Sequence, residues 1–385
     1  MRKSVKSLQL VLHECMPLAH KPQVSAAAFT KARKKLKHTA FIALNRDAVV
    51  ATTYAHEHKR FSGHRLLAID GSKVILPNTQ DVRDMFGETA IKNKDMEGTY
   101  VCGLASVLYD VLNGIALDAN LARGDAYEVV EAERHLSCVE AGDIAILDRG
   151  YCSYRMLASI AQTKADFVVR CHAQSFAVAQ EMFTGNGSDD RTVTIYPSAP
   201  CRKKYGDTPY PASIKVRFVR VTLDTGEIEV LVTSLLDTIT YPTPIFKDLY
   251  WKRWGIETFY GTLKNRLSLE NFTGISTESV LQDFHVTIFL SGLESALTED
   301  IDESLAQKET RHVQQVNKAV SIHAIKHRAF DLFASDLPVE DVVGELTELF
   351  VKSPTSYRED RSPPRKKRSA RMLLNFWKRA RKQVF

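Results

Sequence analysis

Asp143-Ile144-Ala145-Ile146-Leu147-Asp148, continued by Arg149-Gly150-Tyr151, is the stretch on which the fold turns. Four apolar residues without a polar break, bounded by aspartates, read as a strand buried on both faces, the pattern of a parallel strand inside an α/β sheet. Asp148 then stands at the carboxyl end of that strand. Upstream, over residues 125–139, Tyr127, Val130, Ala132, Leu136 and Val139 recur at near-helical spacing, with Glu128, Glu131, Glu133 and Arg134 between them; this predicts an amphipathic helix. Further upstream, β-rich runs at 100–109 and 111–117, with Asn113-Gly114 inside the second, predict a hairpin or meander. Residues 65–70 (RLLAID) and 73–76 (KVIL) read as two strands around Gly71-Ser72, which puts Asp70 at a strand end.

Downstream, residues 153–163 read as helix and 167–170 as strand. From about 174 to 236 the pattern turns to alternation: 191–196, 215–222 and 227–234 read as strands, the last two joined by Asp224-Thr225-Gly226. This is a β-rich insertion. After Pro242 and Pro244 a long helix is expected over 246–269, with helices dominating from 276 onward.

The chain has 385 residues, 44% of them hydrophobic and 25% charged, the composition of an ordinary globular protein. Its length exceeds the roughly 250–300 residues at which single cores stop growing, so one main domain with an insertion and appended ends is expected. No run approaches the roughly 20 apolar residues that span a bilayer, and the basic start is interrupted by Glu14 before any cleavage site, so neither a membrane span nor a secretion signal is expected. The six cysteines include no C-x-x-C pair, which excludes a zinc knuckle or thioredoxin-type motif and fits a reducing cytoplasm. Twelve histidines, none at zinc-ligand spacing, read as structural or surface residues. There is no Walker loop and no G-x-G-x-x-G.

Net charge is only +6, but it is unevenly placed: residues 1–40 carry nine basic residues against Glu14, residues 361–385 carry ten and no acid, and the stretch between is net acidic. Basic arms at both ends are the footprint of a protein that neutralises phosphates. A solvated or targeting tail is the alternative for Arg365-Lys366-Lys367-Arg368 alone. In the first arm, Ser25 can cap a helix over 26–37 whose Ala28, Phe29, Ala32 and Leu36 form an apolar stripe, leaving Arg33, Lys34 and Lys35 toward solvent and DNA. In the second, Pro363-Pro364 precede a basic helix carrying Met372, Leu373, Phe376 and Trp377.

A lone aspartate at a strand end is most often a turn-former or cap. Asp70 and Asp148 gain weight from the order of elements, which matches the ribonuclease-H-like order, and from a later helix carrying Glu257. Two hard cations on a phosphoryl-transfer site require several carboxylate oxygens, and neighbouring strand ends plus one helix can supply them. On a helix with about 100° per residue, Tyr250, Arg253, Glu257 and Lys264 fall within a sector of about 60°. Glu257 can hold metal, Arg253 and Lys264 can grip phosphates, and Tyr250 can bond a phosphate or stack on a base. The competing reading is a surface helix with an ordinary Arg253–Glu257 ion pair. Trp251, Trp254 and Phe259 read as packing residues.

These residues together resemble the D-D-E transposases of bacterial insertion sequences, in the fourth insertion-sequence family, marked by Y-x2-R-x3-E-x6-K. That signature is met by Tyr250, Arg253, Glu257 and Lys264; Asp70 lies in Ala68-Ile69-Asp70-Gly71-Ser72 and Asp148 in Leu147-Asp148-Arg149-Gly150-Tyr151. The likeness covers roughly residues 60–275. It implies an α/β fold: a ribonuclease-H-like core, a mixed five-stranded sheet with helices, interrupted by the β-rich insertion, with helical basic ends. The parts would be a DNA-binding region (1–60), the core's first part (61–173), the insertion (174–238), the core's second part with the signature helix (239–300) and a helical region with basic tail (301–385). Asp70, Asp148 and Glu257 would be catalytic and bind Mg2+, with Mn2+ as a substitute, and Tyr250, Arg253 and Lys264 would hold DNA. The implied partners are double-stranded DNA, as element ends and target, and a second copy of the chain in a paired-end complex; the implied setting is the bacterial cytoplasm and nucleoid. With only about 60 residues ahead of the first catalytic strand, no elaborate end-recognition domain is expected. The rivals are a nuclease of the same fold that does not join strands, and an inactive DNA-binding derivative of a transposase.

Overall fold

The computed structural model describes residues 7–18, 21–90, 98–185, 187–205 and 210–357. Its centre is a mixed sheet of eight strands: β1 (Leu66–Ile75), β2 (Cys102–Asp110), β3 (Ile115–Arg123), β4 (Ile144–Leu147), β5 (Asp166–Arg170), β6 (Asp190–Ile195), β7 (Ile214–Thr222) and β8 (Ile228–Thr233). The spatial order is β3-β2-β1-β4-β5-β8-β7-β6. β1, β4 and β5 run parallel to one another, while β2, β3, β8, β7 and β6 each join antiparallel. All four residues of β4 are buried, as an apolar run with strands on both sides requires.

Along β1 the side chains alternate between two cores. Leu66 and Ala68 belong to one hydrophobic cluster, and Leu67 and Ile69 to the other on the opposite face. The first face is covered by α5 (Ile245–Trp251), α6 (Trp254–Asn265) and α7 (Thr277–Ala306); the second by α3 (Glu128–Arg134) and α4 (Tyr154–Gln162). Ahead of the sheet lie α1 (Ala26–Arg33) and α2 (Thr39–Asn45), with a further helix at Leu8–Leu18; beyond α7, α8 (Lys318–Ala334) and α9 (Val339–Lys352) share a separate cluster with its end. No helix among the described residues is long and apolar enough to cross a membrane.

Several local expectations give way to long-range pairing. The turn expected at Gly71-Ser72 does not form. β1 runs straight through it, because it is paired with β2 from Leu67 opposite Asp110 to Ile75 opposite Cys102. The parallel pairing with β4, however, stops at Ile69 opposite Leu147, so Asp70 still marks the end of the sheet's parallel side. The β2–β3 turn lies at 111–114 and the second strand begins only at Ile115. Asp110 fixes this: its carboxylate accepts from the Leu112 and Asn113 backbone N–H groups (3.0 and 3.1 Å), and Gly114 takes the positive φ the turn needs. The helix expected over 125–139 is shorter, ending in a 3-10 turn at His135–Cys138, with Tyr127 exposed and Val129 buried.

The helix expected over 246–269 is broken into α5 and α6 at Lys252-Arg253, so Tyr250 sits on a different helix from Glu257. At the break the Arg253 guanidinium is buried against the Tyr250 and Trp254 rings. Residues 174–238 add β6, β7 and β8 to the free side of β5, which makes the sheet eight-stranded rather than five-stranded. In the first arm Ser25 caps α1 through the Ala28 N–H (3.1 Å) as expected, but the helix stops at Arg33. The residues expected to form the tail helix, Met372, Leu373, Phe376 and Trp377, lie outside the described residues, as does Pro363-Pro364.

Candidate active site

Asp70 and Asp148 follow directly on the last paired residues of neighbouring parallel strands, Ile69 and Leu147. Neighbouring strands lie about 4.8 Å apart, so the two carboxylates leave the sheet side by side. Asp70 Oδ1 accepts from the Gly71 N–H (2.8 Å) and Asp148 Oδ1 from the Arg149 N–H (2.6 Å), the latter opening the 3-10 turn Arg149–Tyr151. Burial pushes the Asp70 carboxyl up to about 6. The charges of Asp148 and Glu257 push the same way, and the Gly71 N–H and Arg253 oppose them.

Glu257 reaches this pair from the first turn of α6 and is ion-paired with Arg253 (3.0 Å), the buried residue that begins the helix. Two side chains fasten α6 onto β1. The Tyr260 hydroxyl lies 2.8 and 2.9 Å from the Asp70 and Ala105 carbonyl oxygens, and Lys264 Nζ donates to Ser72 Oγ (2.6 Å) and the Lys73 carbonyl (2.7 Å). Lys264, expected to grip phosphate, is here bonded to the sheet. Tyr250, Arg253 and Glu257 converge on the two aspartates. Arg33 does not: its guanidinium is bonded to Gln282 and Thr273 (both 2.8 Å) and to Asp283 (3.2 Å) at the start of α7. Lys34 and Lys35, just beyond it, are exposed.

Among the described residues no group of three His, Cys, Asp or Glu is arranged to hold a metal ion. The donor chemistry nevertheless suits one. Asp70, Asp148 and Glu257 offer only carboxylate oxygen, the ligand that hard divalent cations take, and Asp70 is pushed up chiefly by burial and, to a lesser degree, by the charges of Asp148 and Glu257, a repulsion that a cation relieves.

Residues 61–291, more than half of the chain, match the family described as Transposase DDE domain. The chain belongs to this family. All six of Asp70, Asp148, Tyr250, Arg253, Glu257 and Lys264 fall inside the matched span, and Arg33, Lys34 and Lys35 fall outside it. This DDE transposase-family chain is 26% identical over 143 residues to "Putative transposase y4zB" of Sinorhizobium fredii (strain NBRC 101917 / NGR234), an alignment covering 37% of the chain and 39% of that protein. A cryo-EM structure of the piggyBac transposase synaptic complex with hairpin DNA is similar at a TM-score of 0.41 and 11% identity, over 74% of the chain and 57% of that structure.

The DDE-family site contains residues that spacing alone did not single out. Glu229 on β8 is buried and paired with Arg170 on β5 (2.9 Å), and its charge is felt by Tyr250; the signal was an acid and a base interrupting two otherwise apolar strands. Tyr151 and Tyr260 are buried tyrosines whose hydroxyls face the carboxylates. Three buried polar atoms here have no hydrogen-bond partner: Tyr151 Oη, Tyr250 Oη and Arg253 Nε. Of the aromatics on the signature segment, Phe259 packs inside against Tyr109 (4.5 Å), but Trp251 and Trp254 are exposed. His135 is a structural residue, fully buried between Asp118 (2.7 Å) and Ser106 (3.0 Å).

Proposed function

We propose that this member of the DDE transposase family binds the ends of its insertion sequence, cleaves them by two-metal phosphoryl transfer and joins the freed 3′ hydroxyls to target DNA. The observation that carries this reading is the pair Asp70 and Asp148 leaving adjacent parallel strands beside Glu257. The order β3-β2-β1-β4-β5, with only β1, β4 and β5 parallel, supports a ribonuclease-H-like core over 61–173 and 239–300, interrupted by 174–238. Asp70, Asp148 and Glu257 would hold Mg2+ or Mn2+, which when bound supplies an activated water and neutralises charge on the phosphate. Glu257 would be one of the residues holding the ion, and Arg253, its partner in the ion pair, carries the guanidinium that would match a phosphate. Tyr250 lies beside that guanidinium. Lys34 and Lys35, in the region 1–60, hold the DNA flank, with Arg33 positioning them rather than touching DNA. Lys264 sets the distance between α6 and β1. Two copies acting on paired ends of nucleoid DNA in the bacterial cytoplasm complete the reading, and the region 301–385 adds the basic tail.

The test is Mg2+-dependent nicking of linear DNA that carries the ends flanking the gene. Asp148→Asn should abolish nicking while leaving DNA binding within about twofold, and chelation should do the same to the native chain. A nicking-competent Asp148→Asn protein would overturn the assignment. The Arg253–Glu257 ion pair favours a second reading, a DNA-binding derivative without cleavage; bound but uncut DNA in Mg2+ and in Mn2+ would establish it.

A further inference from the structure

Buried donors without an acceptor are rare, because each costs about 1–3 kcal/mol, and those that persist cluster where a ligand supplies the missing partner. Seven buried side-chain nitrogen or oxygen atoms, donors and acceptors together, have no hydrogen-bond partner among the described residues, and three of them, Tyr151 Oη, Tyr250 Oη and Arg253 Nε, share one neighbour. Each of these three side chains interacts electrostatically with Asp148. All three atoms are hydrogen-bond donors. Tyr250 and Arg253 belong to the spaced signature; Tyr151 does not.

Tyr151 is held in place from both sides. Its ring is 2% exposed and packs in the hydrophobic cluster behind β4, and its backbone N–H donates to the Asp148 carbonyl (3.1 Å), so the 3-10 turn fixes it relative to that aspartate. Around the hydroxyl stand Asp70, Asp148 and Glu128, with Arg253 as the counter-charge. None of these acids accepts from the hydroxyl; Asp70 takes the Gly71 N–H and Asp148 the Arg149 N–H instead. A phenylalanine would fill the same space. Packing alone does not account for the hydroxyl, which is free to take an acceptor that a substrate brings.

We propose that the Tyr151 hydroxyl donates a hydrogen bond to a non-bridging oxygen of the scissile DNA phosphate, alongside Tyr250 and Arg253. This deepens the transposase reading above and rests on it. A phosphate seated against Asp148 brings two non-bridging oxygens, enough acceptor positions for all three orphan donors. Anionic acceptors also make the stronger hydrogen bonds.

The test is Tyr151→Phe in the full chain, with three readouts. Thermal unfolding of the free protein should be unchanged or slightly higher, since an unpaired buried hydroxyl is removed. Affinity for end DNA in Ca2+ and the single-turnover nicking rate in Mg2+ should each fall about tenfold or more, and the affinity difference should vanish on DNA with a methylphosphonate at the cleaved position. A lower unfolding temperature would show that the hydroxyl is structural, and an affinity difference that persists on the methylphosphonate would place its partner elsewhere; either overturns the proposal. Asp148→Asn run beside it separates the two levels. If that variant is dead while Tyr151→Phe binds and cuts like the native chain, only the role of Tyr151 fails; if Asp148→Asn still cuts, the transposase reading fails.

Discussion

Asp70 is the residue whose energetics are most exposed to experiment. Its carboxyl sits at about 6 in the folded chain against 3.8 for the unperturbed group. The unfolded chain therefore releases this proton first as pH rises, so the group costs no stability below about pH 4, and stability is lost progressively between about 4 and 6. The loss at pH 7 is on the order of 2–3 kcal/mol. Asp70→Asn should accordingly raise the unfolding temperature of the metal-free protein at pH 7, and the difference from the native chain should close as pH falls to 4. Added Mg2+ should stabilise the native chain and leave Asp70→Asn unmoved; equal stabilisation of both would remove Asp70 from the cation site. At this scale the sequence was informative about placement: Asp70 and Asp148 follow directly on paired residues of neighbouring parallel strands, and the charge of Glu257 bears on Asp70. It set Tyr151 in the block after Asp148 but was silent on its hydroxyl, because an unpartnered hydroxyl is a property of three-dimensional surroundings and not of a motif.

Among the elements, α1 shows most plainly what a helical wheel leaves out. The wheel puts Arg33 with Lys34 and Lys35 on the solvent side, yet its partners Gln282 and Asp283 lie some 250 residues away on α7, and Asp283 is fully buried. Arg33→Ala should therefore lower the unfolding temperature markedly, with a loss of about 3 kcal/mol in stability, because a buried carboxylate loses its cation and keeps only the Thr273 N–H and hydroxyl. Lys34→Ala and Lys35→Ala should leave stability alone and each reduce the salt slope of DNA binding by about 0.9. Melting curves and titrations at several salt concentrations separate the two classes; a Lys34 or Lys35 variant that melts early, or an Arg33 variant that does not, would reverse the assignment. Element type was legible wherever burial alone decides it, as in β4, whose neighbours on both sides demand an apolar run. Boundaries were not. Gly71-Ser72 signals a turn locally, but a nine-residue ladder with β2 outweighs it, and the periodicity across 246–269 runs on through the break at Lys252-Arg253 that buries the guanidinium.

For the whole molecule, the expected five strands are present in one block and the alternating run after residue 174 does form strands, but alternation cannot say which edge a strand will join. The free side of β5 took them, giving a sheet of eight. The uneven charge is also a property of the whole chain. Removing residues 361–385 deletes ten positive charges and no negative ones, so non-specific DNA affinity should drop and its salt dependence flatten, with the cleavage positions unchanged on a sequencing gel; cuts at new positions would give the tail a part in choosing the site. The stitching of α6 to β1 has a consequence for how the protein is made. Tyr260 and Lys264 meet β1 partners 190 and 192 residues earlier in the chain. A ribosome adding 5–20 residues per second needs about 10–40 s to cover that distance. For 109 residues of it, from Asp148 to Glu257 and about 5–20 s at that pace, the nascent polypeptide owns both strand-end aspartates and lacks the helix that brings the third acid. A message cut short, or a ribosome that stalls, therefore yields fragments that carry Asp70 and Asp148 but not Glu257.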